Sequence, residues 1–284
     1  MEDWTMKVFK FPVEQTDPSR SQSVSNGESQ RLTNGESPRE SLPTMYDLPS
    51  EDPEEPGLPD EFHDFQPQLL SATLRIQNYA ADQIFTASDL NLYYDVDHHL
   101  WHKRPDWFLV VGVPRFYDER DLRLSYVMWQ EGVSPMVVVE LLSPGTEKED
   151  LGQTDRKDGA PPTKWEVYEQ ILRVPYYVVF DRYTDRLRVF SLTDTHYQEL
   201  TLTGDRLWLP ELNIGLGVWE GTYQGSHRRW LRWYGADGTW VPTDSESLIA
   251  NRALLEAERQ RAETERQRAD RLAERLRSLG IDPD

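Results

Sequence analysis

From about Gln83 to Tyr234 the chain runs through short stretches rich in β-branched and aromatic residues, each bounded by Gly, Pro or Asp. QIFTASDLNLYYDVD, WHKRPDWFLVVGVP and PMVVVELLSPG come first, and YYVVFDR, RLRVFSL, YQEL, LWLPELNIGLGVW and RRWLRWYG follow. Runs of this kind fit a pleated, half-buried surface. A chain with so many of them needs a sheet and a layer to cover it. One stretch among them has a helical period instead. In PTKWEVYEQILRVP, Trp165, Tyr168, Ile171 and Leu172 fall at i, i+3, i+6 and i+7, with Thr163 placed as an N-cap and Val174-Pro175 as a stop. RDLRLSYVMWQEG reads as a further short strand or an irregular crossing. The pattern predicts an α/β fold (mixed α+β), with a mixed central sheet flanked by helices and a strand-rich C-terminal half.

The flanks differ in texture. Residues 12–41 are rich in Ser, Gln, Asn, Glu and Gly and cannot offset ordering entropy, so a disordered arm is expected over 1–44. Residues 45–66 are acidic and Pro-rich, which predicts an extended, mostly irregular leader; Met45 also reads as an alternative translation start. The body is expected over 67–245 and a charged helical tail over 246–284. In the tail ERQRA occurs twice, and Leu255, Ala262, Ala269 and Leu276 keep a seven-residue spacing. The companion seam positions hold Glu258, Glu265, Leu272 and Leu279. Five Glu–Arg pairs at i, i+3 would each add ~0.2–0.5 kcal/mol to an isolated helix. One long helix ending near Gly280 is predicted, either as a solvated single helix or as a weak coiled-coil arm for a homodimer.

Charge bears on function only when it is resolved along the chain. The net of -19, from 31 Lys+Arg and 50 Asp+Glu, at first opposes a protein that holds a polyanion. Yet residues 45–66 carry 8 acids and no base, and residues 67–246 carry 27 acids and 18 bases. Much of the excess therefore lies outside the body. The absence of cysteine excludes disulfides, thiolate zinc sites and a cysteine nucleophile. There is no apolar stretch long enough to span a membrane and no signal pattern at the N-terminus, so a cytoplasmic protein is expected.

Three polar residues stand against apolar strands. Asp106 heads the run DWFLVVGV, Glu140 follows VVV, and Lys164 lies on the predicted helix one turn before Tyr168. Carboxylates beside buried strands are costly unless paired. Two on neighbouring strands repel unless a cation lies between them. With the backbone carbonyl of the next residue, Leu141, and water, such oxygens suit Mg²⁺ or Mn²⁺. A nearby lysine could then polarise water or stabilise phosphoryl charge. The simpler alternatives are a strand-start cap for Asp106, a salt bridge from Glu140 to Lys103 or Arg104, and a surface position for Lys164.

Together, KRPDWFLVVGV, VVVELLSPGTEKEDLG, PTKWEVYEQILRVPYYVVFDR and LWLPELNIGLGVW resemble the Uma-two family of endonucleases, within the PD-(D/E)XK restriction-endonuclease-like superfamily. The likeness runs from about Met45 to Val241, and the Glu/Arg-rich tail is similar to tails seen in that family. The resemblance implies a restriction-endonuclease-like core and Mg²⁺-dependent hydrolysis of DNA phosphodiester bonds. It implies Asp106 and Glu140 as catalytic metal ligands assisted by the Leu141 carbonyl. The superfamily's usual lysine, two residues after the second acid, is replaced here by Leu142. In the family it lies on the following helix, which points to Lys164.

Other residues carry weaker readings. Tyr168 packs in the core with its hydroxyl near the site. Asp150 and Asp181 recur in the family pattern but read by default as cap or turn residues. Ser143 and Thr146 either contact phosphate or hold a turn. Asp89 and Asp95 are candidates for a second metal. His98, His99 and His102 suggest a metal site or, better, a hairpin tip. Trp230 and Trp233 among Arg228, Arg229 and Arg232 suggest base stacking or, better, an outer strand with solvated arginines. The leading expectation is a metal-dependent endonuclease with weak, salt-sensitive DNA binding and no membrane partner. The rival is a catalytically inactive nuclease-fold interaction module. A hydrolase of another phosphodiester is a third reading.

Overall fold

The strand-like runs of the sequence become twelve strands in the computed structural model, which describes residues 42–44, 46–48, 60–143, 147–156, 159–280 and 282. They are β1 (Ile84–Ala87), β2 (Leu92–Tyr93), β3 (His102–Lys103), β4 (Trp107–Val111), β5 (Tyr126–Val127), β6 (Val137–Leu141), β7 (Tyr176–Asp181), β8 (Arg186–Thr193), β9 (His196–Glu199), β10 (Arg206–Leu209), β11 (Ile214–Tyr223) and β12 (Ser226–Tyr234). The helices are α1 (Glu61–Thr73), α2 (Met128–Glu131), α3 (Glu147–Asp150), α4 (Lys164–Glu166) and α5 (Asp244–Ser278). RDLRLSYVMWQEG thus holds both a short strand, β5, and the single turn α2.

Six strands form the central sheet in the order β1-β4-β6-β7-β8-β9. All its pairings are antiparallel except β6–β7, which run parallel. A parallel pair requires a crossover, and residues 142–175 supply it with α3 and α4. The fully buried run VVVEL of β6 lies between β4 and β7. Alternation then divides the core. Val137, Val139 and Leu141 pack with Trp107, Leu109, α1 and the β10-β11-β12 sheet. Val138 and Leu142 pack with Phe108, Val110, Tyr168 and Tyr177 on the opposite face.

Two expectations need correction. The boundary at residue 67 falls inside α1, and the leader is helical from Glu61. Pro67 and the acids of EFHDFQPQLL obscured this, because proline in a helix interior removes a donor. Tertiary contacts supply what the propensity lacks. Asp60 caps Phe62 N and His63 N, Leu69 and Leu70 are fully buried, and Gln66 bonds both the N–H and the carbonyl of Leu231 like a neighbouring strand. Second, Ile171 is 43% exposed rather than part of the core. The helix opens with the Thr163–Glu166 capping box, but after Glu166 it widens into a π-helical turn over Val167–Ile171. Leu172 N bonds Val167 O, so the extra residue rotates Ile171 outward while Tyr168, Leu172 and Val174 stay buried.

The disordered-arm expectation lies outside the described residues apart from 42–44, where Trp129 Nε1 donates to Pro43 O at 2.9 Å. The tail is one helix as expected, α5, capped by Thr243 and Glu246 and with no buried residue. Leu255, Leu272 and Leu279 on its seam positions are more than half exposed. Among the described residues no helix is long and apolar enough to cross a membrane.

After α3 the chain turns at Gly152, whose φ is +67° and whose added Cβ would lie 2.6 Å from the Trp165 ring. Gly152→Ala should therefore cost about 1–2 kcal/mol from the left-handed backbone alone, with the clash in addition. Urea unfolding at matched conditions would measure it, and an unchanged midpoint would refute the assignment.

Candidate active site

The register of β4 on β6 brings the two predicted acids together. Trp107 pairs with Val139, so Asp106 and Glu140 follow as neighbours at the next position. Asp106 Oδ2 accepts the Leu141 N–H at 2.6 Å. By alternation both residues face the side of the sheet covered by α4. Glu140 is 1% exposed. Lys164, the first residue of α4, reaches down to it: Nζ lies 3.0 Å from Glu140 Oε2 and 2.8 Å from Asp150 Oδ1. Tyr168, one turn on, donates its hydroxyl to Glu140 Oε1 at 2.8 Å. The Thr163 cap fixes the helix start and thereby aims Lys164. Asp106, Glu140, Leu141 and Lys164 are thus in one place. Glu140 pairs with neither Lys103 nor Arg104; Lys103 pairs with Glu149 at 3.5 Å and Arg104 with Asp89 at 2.8 Å. Leu142, where the superfamily's usual lysine would stand, is buried in the apolar layer against Tyr168 and Val138.

Two members were not assigned from sequence. Asp150 is neither a free cap nor a turn residue: it is 1% exposed, holds Lys164, and its carbonyl accepts the Tyr177 hydroxyl at 2.8 Å. In EKED nothing local separates it from Glu147 and Glu149, and only the packing of α3 chooses it. His63 reaches from α1, with Nε2 3.0 Å from the Leu141 carbonyl oxygen and Nδ1 3.0 Å from Asp60 Oδ1. Its ring faces oxygen acceptors on both sides. The only local signal was its place three residues after a capping Asp.

The cluster sets three carboxylates against one ammonium. Burial pushes the Asp106 carboxyl up and the Glu140 carboxyl well above the usual range, while Lys164 draws both down. Burial also opposes the charged form of Lys164, but Glu140, Asp150 and Asp106 together hold it above the ordinary lysine range. A site short of positive charge in a low-dielectric setting fits an added divalent cation. The donors for it are two carboxylates and a backbone carbonyl, oxygen ligands suited to Mg²⁺ or Mn²⁺. Among the described residues no group of three or more His, Cys, Asp or Glu side chains forms a metal-binding set.

The remaining candidates sit elsewhere. Asp89 pairs with Arg104, and Asp95 bonds His98 at 2.9 Å, so neither faces the cluster. His98 stacks on Trp101 at 3.7 Å in the hairpin region. Asp181 accepts Tyr183 N and the Thr184 hydroxyl, as a turn residue does. Trp230 and Trp233 are buried in the core, which leaves no face for a base. Nor are their flanking arginines all solvated: Arg232 is 3% exposed and paired with Glu246. Thr146 lies outside the described residues.

A six-stranded mixed sheet with helices in its single parallel crossover and acids at adjacent strand positions is the architecture of a restriction-endonuclease-like α/β protein. The family model Uma2, described as "Putative restriction endonuclease", matches residues 37–221, well over half of the chain. The chain belongs to this family. The match takes in the whole central sheet and ends within β11, so α5 lies beyond it. A comparison with curated proteins gives no match.

Proposed function

We propose that the protein is a Mg²⁺- or Mn²⁺-dependent endonuclease that hydrolyses DNA phosphodiester bonds. The observation that carries this reading is the convergence of Asp106 and Glu140 from adjacent register positions beside Lys164, where three carboxyl groups share one ammonium. Asp106, Glu140 and the Leu141 carbonyl would hold the metal. Bound there, a divalent cation lowers the pKa of water and stabilises charge on phosphoryl oxygens. Lys164, held by Asp150, orients the attacking water or bonds a phosphoryl oxygen. Tyr168 fixes the Glu140 carboxylate. His63 bonds one lone pair of the Leu141 carbonyl, which has a second. The family description supports DNA as the substrate class. A cytoplasmic location, as the sequence leads one to expect, accompanies this reading.

Calorimetric titration with Mn²⁺ tests the site. The wild type should bind and Glu140→Ala should not, and EDTA should stop cleavage of supercoiled plasmid. Cleavage that persists in EDTA would refute metal dependence. A second reading, an inactive interaction module on a nuclease scaffold, draws on one observation. Lys164 already pairs two of the three carboxylates, so the cluster is partly neutralised from within. Absence of Mn²⁺ binding in the wild type would favour that reading.

A further inference from the structure

A second polar cluster lies at the same end of the parallel pair. Leu141 of β6 is level with Phe180 of β7, and Arg182 follows β7 directly. Contacts link the two places. The Leu141 carbonyl meets His63, His63 meets Asp60, and Asp60 Oδ2 lies 2.8 Å from Arg182 Nη2. Arg228, on β12, donates from Nη2 to the Arg182 carbonyl at 3.0 Å. Both guanidiniums sit over the ring of Phe62, with Arg228 Cζ at 4.3 Å and Arg182 Cζ at 5.7 Å from its centroid. Phe62 is buried and stacked on Trp230, so the ring is a fixed platform.

The pair is short of anions. Asp60 is shared between Arg182 and His63. Among the described residues Arg228 has no carboxylate at ion-pair distance, and Nε of both arginines is buried without a hydrogen-bond partner. Burial first, then the Arg182 cation, holds Arg228 below the ordinary arginine range, against the attraction of Asp185 and Asp60. Two guanidiniums held over one ring with a single carboxylate between them form a recognition element for a phosphate. In a chain of net charge -19, such a pair needs a reason.

We infer that Arg182 and Arg228 form a phosphate-binding site for the nucleic-acid backbone, beside the proposed cleavage centre and joined to it through Asp60 and His63. This rests on the phosphodiesterase reading and adds to it where the polyanion is gripped. A backbone phosphate placed against the guanidiniums would relieve their repulsion and supply the anion that Arg228 lacks. Such a contact positions the strand without reading its sequence.

The test is fluorescence anisotropy of the full chain with a short fluorescein-labelled DNA duplex, with Ca²⁺ in place of Mg²⁺ and at several salt concentrations. Arg228→Gln should weaken binding about tenfold and lower the salt slope by about one, as expected for one lost phosphate contact. Arg228→Lys should fall between it and the wild type. Arg229→Gln, next on the same strand and paired with Asp205, should stay within about twofold. Near-ultraviolet circular dichroism of the Trp-rich core checks that each variant is folded. Equal binding by the wild type and folded Arg228→Gln would overturn the arginine site and leave the hydrolase reading standing. A wild type that binds through Arg228 yet cleaves nothing in Mg²⁺ would overturn the hydrolase reading and uphold the site. A wild type that does not bind the duplex would overturn the arginine site.

Discussion

Replacing Asp106 or Glu140 with Ala is expected to lower Mg²⁺-dependent DNA cleavage by about three orders of magnitude or more, the equivalent of about 4 kcal/mol of transition-state stabilisation. The two carboxylates stand on adjacent strands at neighbouring register positions, so neither can stand in for the other. Removing one halves the anionic donors offered to the metal. The fold should survive both changes. Asp106→Ala leaves one buried donor, Leu141 N–H, unpaired, a cost of about 1–3 kcal/mol. Glu140→Ala frees the Tyr168 hydroxyl but removes a charge that burial opposes, and Lys164 keeps Asp150. Plasmid-nicking rates beside thermal melts separate the two effects. Undiminished cleavage by both folded variants would sink the assignment.

Lys164→Met should destabilise the fold by about 3–5 kcal/mol, because it leaves Glu140 and Asp150 buried with no cation between them. In a chain of this size the melting temperature should drop by roughly 10 °C. Methionine is chosen because it keeps most of the stem volume, so the loss reports charge rather than a cavity. Two further measurements isolate the cause. Millimolar Mg²⁺ should recover part of the loss in Lys164→Met while doing less for the wild type. Glu140→Gln added to Lys164→Met should also recover part of it, since the double variant buries one carboxylate fewer. If Lys164→Met melts with the wild type, the ammonium does not compensate these acids.

Much of the site is legible in the sequence. Asp106, Glu140 and Lys164 draw attention because each interrupts an apolar or amphipathic pattern, and an interruption of that kind is visible in one dimension. The family pattern then supplies roles for them. Asp150 and His63 interrupt nothing. Asp150 stands in a run of acids, and His63 in a polar leader, four residues before Pro67. The arginines of RRWLRWYG suggest a basic-aromatic face, but β12 is covered on both faces from Trp230 to Tyr234, so both tryptophans lie inside although they point to opposite sides of the strand. Phe62, from a helix 166 residues upstream of Arg228, lies under both Arg182 and Arg228, and Arg228 bonds the Arg182 carbonyl.

By itself the sequence determined the strands, the capped Lys164 helix, the long charged tail and the three polar interruptions. These rest on period, caps and turn residues, which act over a few neighbours. Tertiary structure alone decided that α1 runs on through Pro67. It also decided that a π-helical turn sends Ile171 outward, and that Asp150 rather than Glu147 or Glu149 meets Lys164. The physical reason is common to all three. In each stretch a buried polar side chain meets a partner on a distant element, Gln66 at Leu231, Tyr168 at Glu140 and Asp150 at Lys164, and desolvation favours that match only once the sheet has closed around it.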